Sequence, residues 1–265
     1  MNRKTVSRSV PLGLEQRRRE IRGLLQSRPQ VGVAELAQKF AVSSVTIRSD
    51  LVALDSIGAL QRVHGGALPR SESDELPIDI KQNFHRAEKT RIAAAAVAHI
   101  ADGQTIILDS GTTTAEIAKL IRGLKLQSLN VITNALNIAV LLASAPFIDL
   151  IIPGGMLRRR SWSLSGPAAE SAMRDLQADT LFLGVDSLDP EVGLMTPFPL
   201  EAQLNAQMIR SARRVIAVTD SSKLLRRNLS VIAAVDQVDL LITDREAEAR
   251  AVKAIRARGV EVTLV

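Results

Sequence analysis

From Thr105 onward the chain repeats one pattern that few architectures accommodate: a short apolar run, a cluster of small polar residues, then apolar residues at helical spacing. Ile106, Ile107 and Leu108 stop at Asp109, and Ile117, Ala118, Leu120 and Ile121 follow on one helix face. Further runs over Asn130–Thr133, Asp149–Ile152, Thr180–Val185, Val215–Thr219 and Asp239–Ile242 predict strands. Ala135–Ala143, Pro167–Leu176, Pro199–Arg210 and Glu246–Arg258 predict the helices between them. Strands that alternate with helices pair in parallel through crossovers, so a mainly parallel sheet covered on both faces is expected. Ligands of such sheets sit beyond the carboxyl ends of the strands.

The residues at those ends are Asp109, Ser110, Gly111, Thr112 and Thr113; Thr133 and Asn134; Gly154 and Gly155; Gly184, Val185 and Asp186; and Asp220 to Lys223. Polar residues end most strands, but five such clusters together favour a shared crevice. The first cluster opens a helix, whose unpaired N–H groups and positive dipole end suit a phosphate, with threonine hydroxyls beside them and Gly111 admitting close approach. It has neither the Gly-Lys-Ser/Thr of a Walker loop nor the second and third glycines of a dinucleotide fingerprint. The same residue types also serve a capped turn with no ligand.

Charge divides the chain. Residues 1–70 carry a net charge of +7 and residues 71–265 a net of −1, so the whole basic excess of the 265-residue chain lies in its first quarter. A small basic domain ahead of a near-neutral larger one points to nucleic acid for the first. Aromatic residues make up 2% of the chain and tyrosine is absent, which argues against stacking of single strands and for a duplex. There is no cysteine, so disulfides, thiol nucleophiles and cysteine metal sites are excluded. The N-terminus lacks the apolar core of a signal peptide and no apolar run reaches the roughly 18 residues of a membrane span, so a soluble, cytoplasmic protein is expected.

Residues 1–11 read as disordered. Ile21, Leu24 and Leu25 form a helical stripe within Glu15–Ser27, with Arg17, Arg18, Arg19 and Arg22 expected on the opposite, solvent face. A second helix, Val33–Phe40, is followed by the three-residue turn Ala41-Val42-Ser43 and a third helix that Ser43 caps. This is helix-turn-helix spacing. Ile47, Leu51 and Leu54 face inward, which leaves Ser44, Thr46, Arg48 and Ser49 where base edges and phosphates are read in the major groove. Leu60–Ala67 alternates as a hairpin whose Arg62 and His64 can touch the backbone or the minor groove. Pro69–Lys81 is a polar, acidic linker. His85–Ile100 is an alanine-rich helix in which His85 and His99 are structural, and no spacing suggests a metal site.

The stretch ELAQKFAVSSVTIRSDLVALDSIGALQRVHGGAL resembles the winged helix-turn-helix of the DeoR family of bacterial sugar-catabolism repressors. One departure is Arg48-Ser49-Asp50, where the family commonly shows paired arginines before the aspartate. The five clusters, in order, resemble the sensor domain of the same family, similar in fold to ribose-5-phosphate isomerase, and the resemblance then spans residues 12–265. ILDSGTTT, GGMLRRRSWSLSGPAAE, LFLGVDSLD, VTDSSK and GVEVTLV look most like the regulators of N-acetylgalactosamine and galactosamine utilisation.

The resemblance implies a DNA-binding domain over 12–68, a linker over 69–84 and an α/β sensor domain over 85–265. It implies binding of double-stranded operator DNA through Ser43, Ser44, Thr46, Arg48, Ser49, Arg62 and His64. It further implies a sugar-phosphate effector, a hexose or amino-sugar phosphate, held by Asp109 to Thr113, Thr133, Asn134, Gly154, Gly155, Arg158, Asp186, Glu201 and Lys223. No metal, other cofactor or membrane partner is expected, and a homo-oligomer, dimer or tetramer, fits repeated half-sites. Arg158, Arg159 and Arg160 suit either a basic loop near the ligand or a solvated charge run, and Trp162 either covers the pocket or packs.

A rival reading is a sugar-phosphate isomerase fused to a DNA-binding module, with Glu201 as proton-transferring base and Lys223 beside it. Against it, Ser187-Leu188-Asp189-Pro190 lacks the isomerases' second aspartate and acid. An attached winged helix also suits a sensor and not an isomerase. No enzymatic activity is expected.

Overall fold

The computed structural model describes residues 13–28, 30–56, 59–69 and 77–265. The expected disorder of residues 1–11 and most of the acidic linker lie outside them. Contacts divide the chain into two units, Met1–Leu76 and Pro77–Val265.

In the first unit α1 (Leu14–Ser27), β1 (Val31–Gly32), α2 (Val33–Phe40), α3 (Ser44–Ser56), β2 (Gln61–Val63) and β3 (Gly66–Leu68) follow in order. The α2–α3 turn is the expected three residues, with Ala41 in the left-handed conformation and its N–H donating to the Ala37 and Gln38 carbonyls. Ser43 caps α3, its Oγ accepting from the Thr46 N–H at 3.0 Å. Ile21, Leu36, Phe40, Ile47, Leu51 and Leu54 form the core with Leu60 and Ala67 of the wing. The wing has a third strand that the sequence did not suggest, in the order β1-β3-β2. Gly66 permits it, because an added Cβ would fall 2.1 Å from the Val31 carbonyl oxygen.

Arg17 corrects one expectation. It belongs to the inward stripe, four residues before Ile21 and eight before Leu25, and is only 6% exposed. Its Nε lies 2.5 Å from the Asp50 carboxylate of α3, which Arg18 also meets at 3.0 Å. The basic face of α1 is therefore narrower than the four arginines suggested.

The second unit opens with α4 (Ile78–Lys81), α5 (Arg86–Ala96), β4 (Thr105–Leu108), α6 (Thr112–Ile121), β5 (Leu129–Thr133), α7 (Leu136–Leu142) and β6 (Ile148–Ile151). A hairpin of β7 (Met156–Arg158) and β8 (Ser163–Ser165) leads to α8 (Pro167–Arg174), β9 (Ala178–Leu183), β10 (Ser187–Asp189), β11 (Gly193–Thr196) and α9 (Pro199–Arg210). The chain ends with β12 (Ala212–Val218), β13 (Ser230–Ala233), β14 (Leu240–Thr243), α10 (Ala249–Arg256) and β15 (Glu261–Leu264).

Seven strands form one sheet in the order β15-β14-β12-β9-β4-β5-β6, and every pair in it is parallel. Alternate residues feed its two faces. Ile107, Leu181 and Ala217 pack with Met173, Leu204 and Ile255 of α8, α9 and α10. Ile106, Phe182 and Ile216 pack with Ile92, Ile117 and Ile138 of α5, α6 and α7. From β4 the chain runs outward through β5 to β6, then returns to place β9 on the other side of β4. The gap between the carboxyl ends of β4 and β9 is thus the topological switch point.

Of the residues expected as linker, 77–84 fold with this unit. Ile78 is buried, and its N–H donates to the Arg160 carbonyl at 2.8 Å. The buried Lys89 ammonium donates to the carbonyls of Lys81 at 2.9 Å and Phe84 at 2.6 Å. Among the described residues no helix is long and apolar enough to cross a membrane, and no group of His, Cys, Asp and Glu is arranged to hold a metal.

Candidate functional site

Asp109 leaves β4 at the switch point, where its N–H donates to the Phe182 carbonyl of β9 at 3.3 Å. Its side chain is 2% exposed, and Oδ1 has no hydrogen-bond partner. Burial pushes this carboxyl up to about 8, helped by Glu201 and Asp186 and opposed by the polar Gly184 N–H and Thr114 hydroxyl nearby. Gly184 matters through space: an added Cβ would meet Asp109 Oδ1 at 3.4 Å. At neutral pH the residue is mainly the uncharged acid, which removes its repulsion of an anion next to it.

Gly111 stands at the N-cap of α6 and offers no side chain to the first turn. Its φ of −160° is extended backbone that any residue adopts, so close packing against Thr114 Oγ1, 3.2 Å from an added Cβ, is what favours glycine there. Thr114 does not cap the helix either. Its hydroxyl lies 3.0 Å from the Asp109 carbonyl and 3.1 Å from that of Gly111, as a donor. Thr113 is buried, Thr112 is half-buried, and the Ser110 hydroxyl is buried without a partner.

Around the same crevice, Arg158 of β7 pairs with Glu201 of α9 and stacks 3.6 Å from the centre of the Phe198 ring. Thr196 Oγ1 lies 3.1 Å from Asp186 and 3.2 Å from Glu201, and the Lys81 ammonium is 4.0 Å from Asp186. Burial and Asp186 push Glu201 up to about 7, against the pull of Arg158 and Lys81. Asp220 caps the turn that carries Lys223, accepting from the Ser222 N–H at 3.1 Å. Lys223 sits close enough to Lys89 to help lower it to about 8, after burial and against the opposing pull of Asp220.

Four other expected residues serve the scaffold as placed. Thr133 Oγ1 accepts from the Ala135 N–H at 3.1 Å. Asn134 donates to the Leu164 carbonyl at 3.0 Å, although its own Oδ1 is buried without a partner. Gly155, at φ +111°, lets its loop lie on β8, since an added Cβ would fall 2.7 Å from the Ser165 carbonyl oxygen. Gly154 shares the left-handed backbone at φ +79°. Arg159 and Arg160 are exposed, so the arginine run is split: one member turns into the crevice and two face solvent.

The structure adds Lys81, Lys89 and Thr196 to this neighbourhood. Lys89 had a legible signal, because it starts the inward stripe Lys89, Ile92, Ala93, Ala96 of α5. Lys81 and Thr196 had none, since only the tertiary fold brings them to Asp186.

In the first unit Ser44, Arg48 and Ser49 are exposed along α3, and Arg62 and His64 are exposed on the wing. Ser43 and Thr46 are engaged with one another, their hydroxyls 2.9 Å apart at the start of α3.

Comparison with known proteins agrees with this division. Residues 17–72 match the DeoR-like helix-turn-helix domain and residues 84–245 the DeoR C terminal sensor domain. The chain is 41% identical over 256 residues to the "Putative aga operon transcriptional repressor" of Escherichia coli O157:H7, covering 96% of this chain and 94% of that one. It is 37% identical to the HTH-type transcriptional regulator GlpR of Haloferax volcanii, covering 93% and 96%. It is 31% identical to the glycerol-3-phosphate regulon repressor of Escherichia coli K12, covering 86% and 90%. A ribose-5-phosphate isomerase in complex with phospho-erythronic acid is among similar solved structures, at a TM-score of 0.40 and 19% identity over 52% of this chain and 54% of that one. The relatives are named as regulators, so the isomerase reading of Glu201 is set aside. The chain belongs to the DeoR family of helix-turn-helix transcriptional regulators.

Proposed function

We propose that this protein represses a sugar or amino-sugar catabolic operon, and that a phosphorylated sugar bound in the second unit sets its hold on operator DNA. Ser44, Arg48 and Ser49 of α3 enter the major groove, and Arg62 and His64 of the wing meet the backbone or minor groove. One such module covers little DNA, so the active form is a homo-oligomer on repeated half-sites. The names of the aga operon and glycerol-3-phosphate regulon relatives support the metabolic setting.

The observation that carries the effector reading is the start of α6. Its cap residue supplies no side chain, the neighbouring Asp109 is held mainly uncharged, and Asp109 Oδ1 and Ser110 Oγ are buried without partners. A phosphate there takes the N–H groups of residues 111–113 and the ammonium of Lys223. Arg158, Asp186 and Glu201 lie in the crevice beside that phosphate. The test is a thermal-shift screen of phosphorylated hexoses and amino sugars, followed by operator titration with each hit. A hit that raises the melting temperature and changes operator affinity supports the reading. A screen with no hit among sugar phosphates refutes it.

A further inference from the structure

The phosphate site does not account for the groove beside it. Thr112 and Glu116 of α6, Asn137 of α7, Ile78 and Gln82 of the α4 segment, and Trp162 of the β7–β8 turn line this groove. Trp162 holds a left-handed backbone at φ +54°, a conformation unusual for a bulky residue. Neighbouring bonds fix it: its carbonyl accepts from the Leu136 N–H at 2.9 Å, and the next residues bridge to Asn134 and Ala135. The residue is nevertheless 47% exposed. Nearly half of its surface is thus left open at this groove, on a backbone that its neighbours hold in place. Beside it, the Asn137 side-chain oxygen is buried without a partner.

We propose that this groove holds the sugar ring of the effector, with Trp162 as the stacking face and Asn137 and Gln82 as partners for its hydroxyls. The inference rests on the phosphate reading, since Thr112 belongs both to the groove wall and to the turn that would hold the phosphate. The chemistry fits a pyranose or furanose, which offers C–H groups on one face and hydroxyls around its rim. An aromatic face with a few convergent polar groups is the matching surface. The occupant also touches α4, the first helix after the connection from the DNA-binding unit. Ile78 of α4 is hydrogen-bonded to Arg160 on the same turn as Trp162, so the ligand contacts both sides of that bond.

Trp162 is the only tryptophan and there is no tyrosine, so emission of the full chain reports on this groove alone. The probes are inorganic phosphate, galactosamine 6-phosphate, N-acetylgalactosamine 6-phosphate and fructose 6-phosphate, each followed by thermal shift and by fluorescence. At least one sugar phosphate should stabilise the protein and change its emission with the same midpoint, whereas inorganic phosphate should stabilise it without changing emission. Trp162→Gly suits the left-handed backbone and keeps the fold. It and Asn137→Ala should each weaken that sugar phosphate tenfold or more by thermal shift, and leave inorganic phosphate within twofold. A sugar phosphate that stabilises the protein with no emission change and unaltered midpoints in both variants overturns the groove and leaves the phosphate site standing. No stabilisation by any probe, inorganic phosphate included, overturns both.

Discussion

The Arg17 guanidinium of α1 and the Asp50 carboxylate of α3 meet at 2.5 Å inside the first unit, both less than a tenth exposed. This pair ties α3 to α1. Removing one partner of a buried pair leaves the other charge without compensation, at about 3–5 kcal/mol. Asp50→Ala should therefore unfold the first unit at a lower temperature and lose operator binding with it. Arg48→Ala, at an exposed position two residues away, should stay within about 0.5 kcal/mol of wild type and lose specific binding alone. Thermal melts beside operator titrations separate the two. Unchanged operator affinity in Arg48→Ala removes α3 as the reading helix.

At the start of α6, Thr113→Val keeps the shape of a buried side chain and deletes its hydroxyl. Lys223→Ala deletes an ammonium. Bonds to a charged group contribute roughly 1.5–3 kcal/mol each, so either variant should raise the effector concentration needed for half-response by about ten- to a hundredfold. Operator affinity without effector should not move. A wild-type response in both variants rules out the phosphate site.

Asp109 gives the second unit a pH dependence. Its carboxyl is raised from the usual 3.8 to about 8, so the folded chain keeps a proton that the unfolded chain releases. The associated stability is complete below the unfolded value and is lost as pH rises from about 4 to about 8. A tenfold difference in proton affinity between folded and unfolded chains corresponds to about 1.4 kcal/mol, so the total reaches a few kcal/mol. Asp109→Asn should be stabilised relative to wild type at pH 8 and much less so at pH 5, measured by denaturant unfolding. A stability difference that is flat with pH contradicts the protonated assignment.

Lys89 holds two carbonyls of the α4 segment with one ammonium, and burial lowers it from 10.5 to about 8. Lys89→Met fills similar space without the donor. Relief from burying a charge offsets much of the lost bonding, so global stability should change little while residues 81–84 loosen. Trypsin should then cut after Lys81 in the variant and spare that bond in wild type. Equal digestion of the two proteins would falsify the anchoring role.

Long periodic elements were legible in the sequence. Val33–Phe40 and Pro199–Arg210 have the bounds their apolar spacing and flanking prolines or glycines suggest, and the β4–α6 turn lies at the switch point. The hairpin of β7 and β8 and the antiparallel β10-β11-β13 sheet were not legible. Strands of three or four residues carry too little alternation to read, and their pairing depends on distant partners such as Gly193 against the Ala233 carbonyl. For Arg17 the surrounding charge run suggests a solvated face, whereas its position four residues before Ile21 places it inward. Arg158 was undecidable in sequence, since only the fold brings Glu201 and Phe198 to it.

The central strand pair also orders events during synthesis. Thr105 of β4 is fastened to Asp179 at the start of β9, 74 residues later, and the turn bearing Lys223 comes later still. Parallel pairing across such separations is slow, whereas the helices and wing of the first unit close over short loops. Domains fold as they emerge from the ribosome, N-terminal first. A nascent chain thus completes its helix-turn-helix unit before the sheet that carries Asp109 and the turn that carries Lys223 can close.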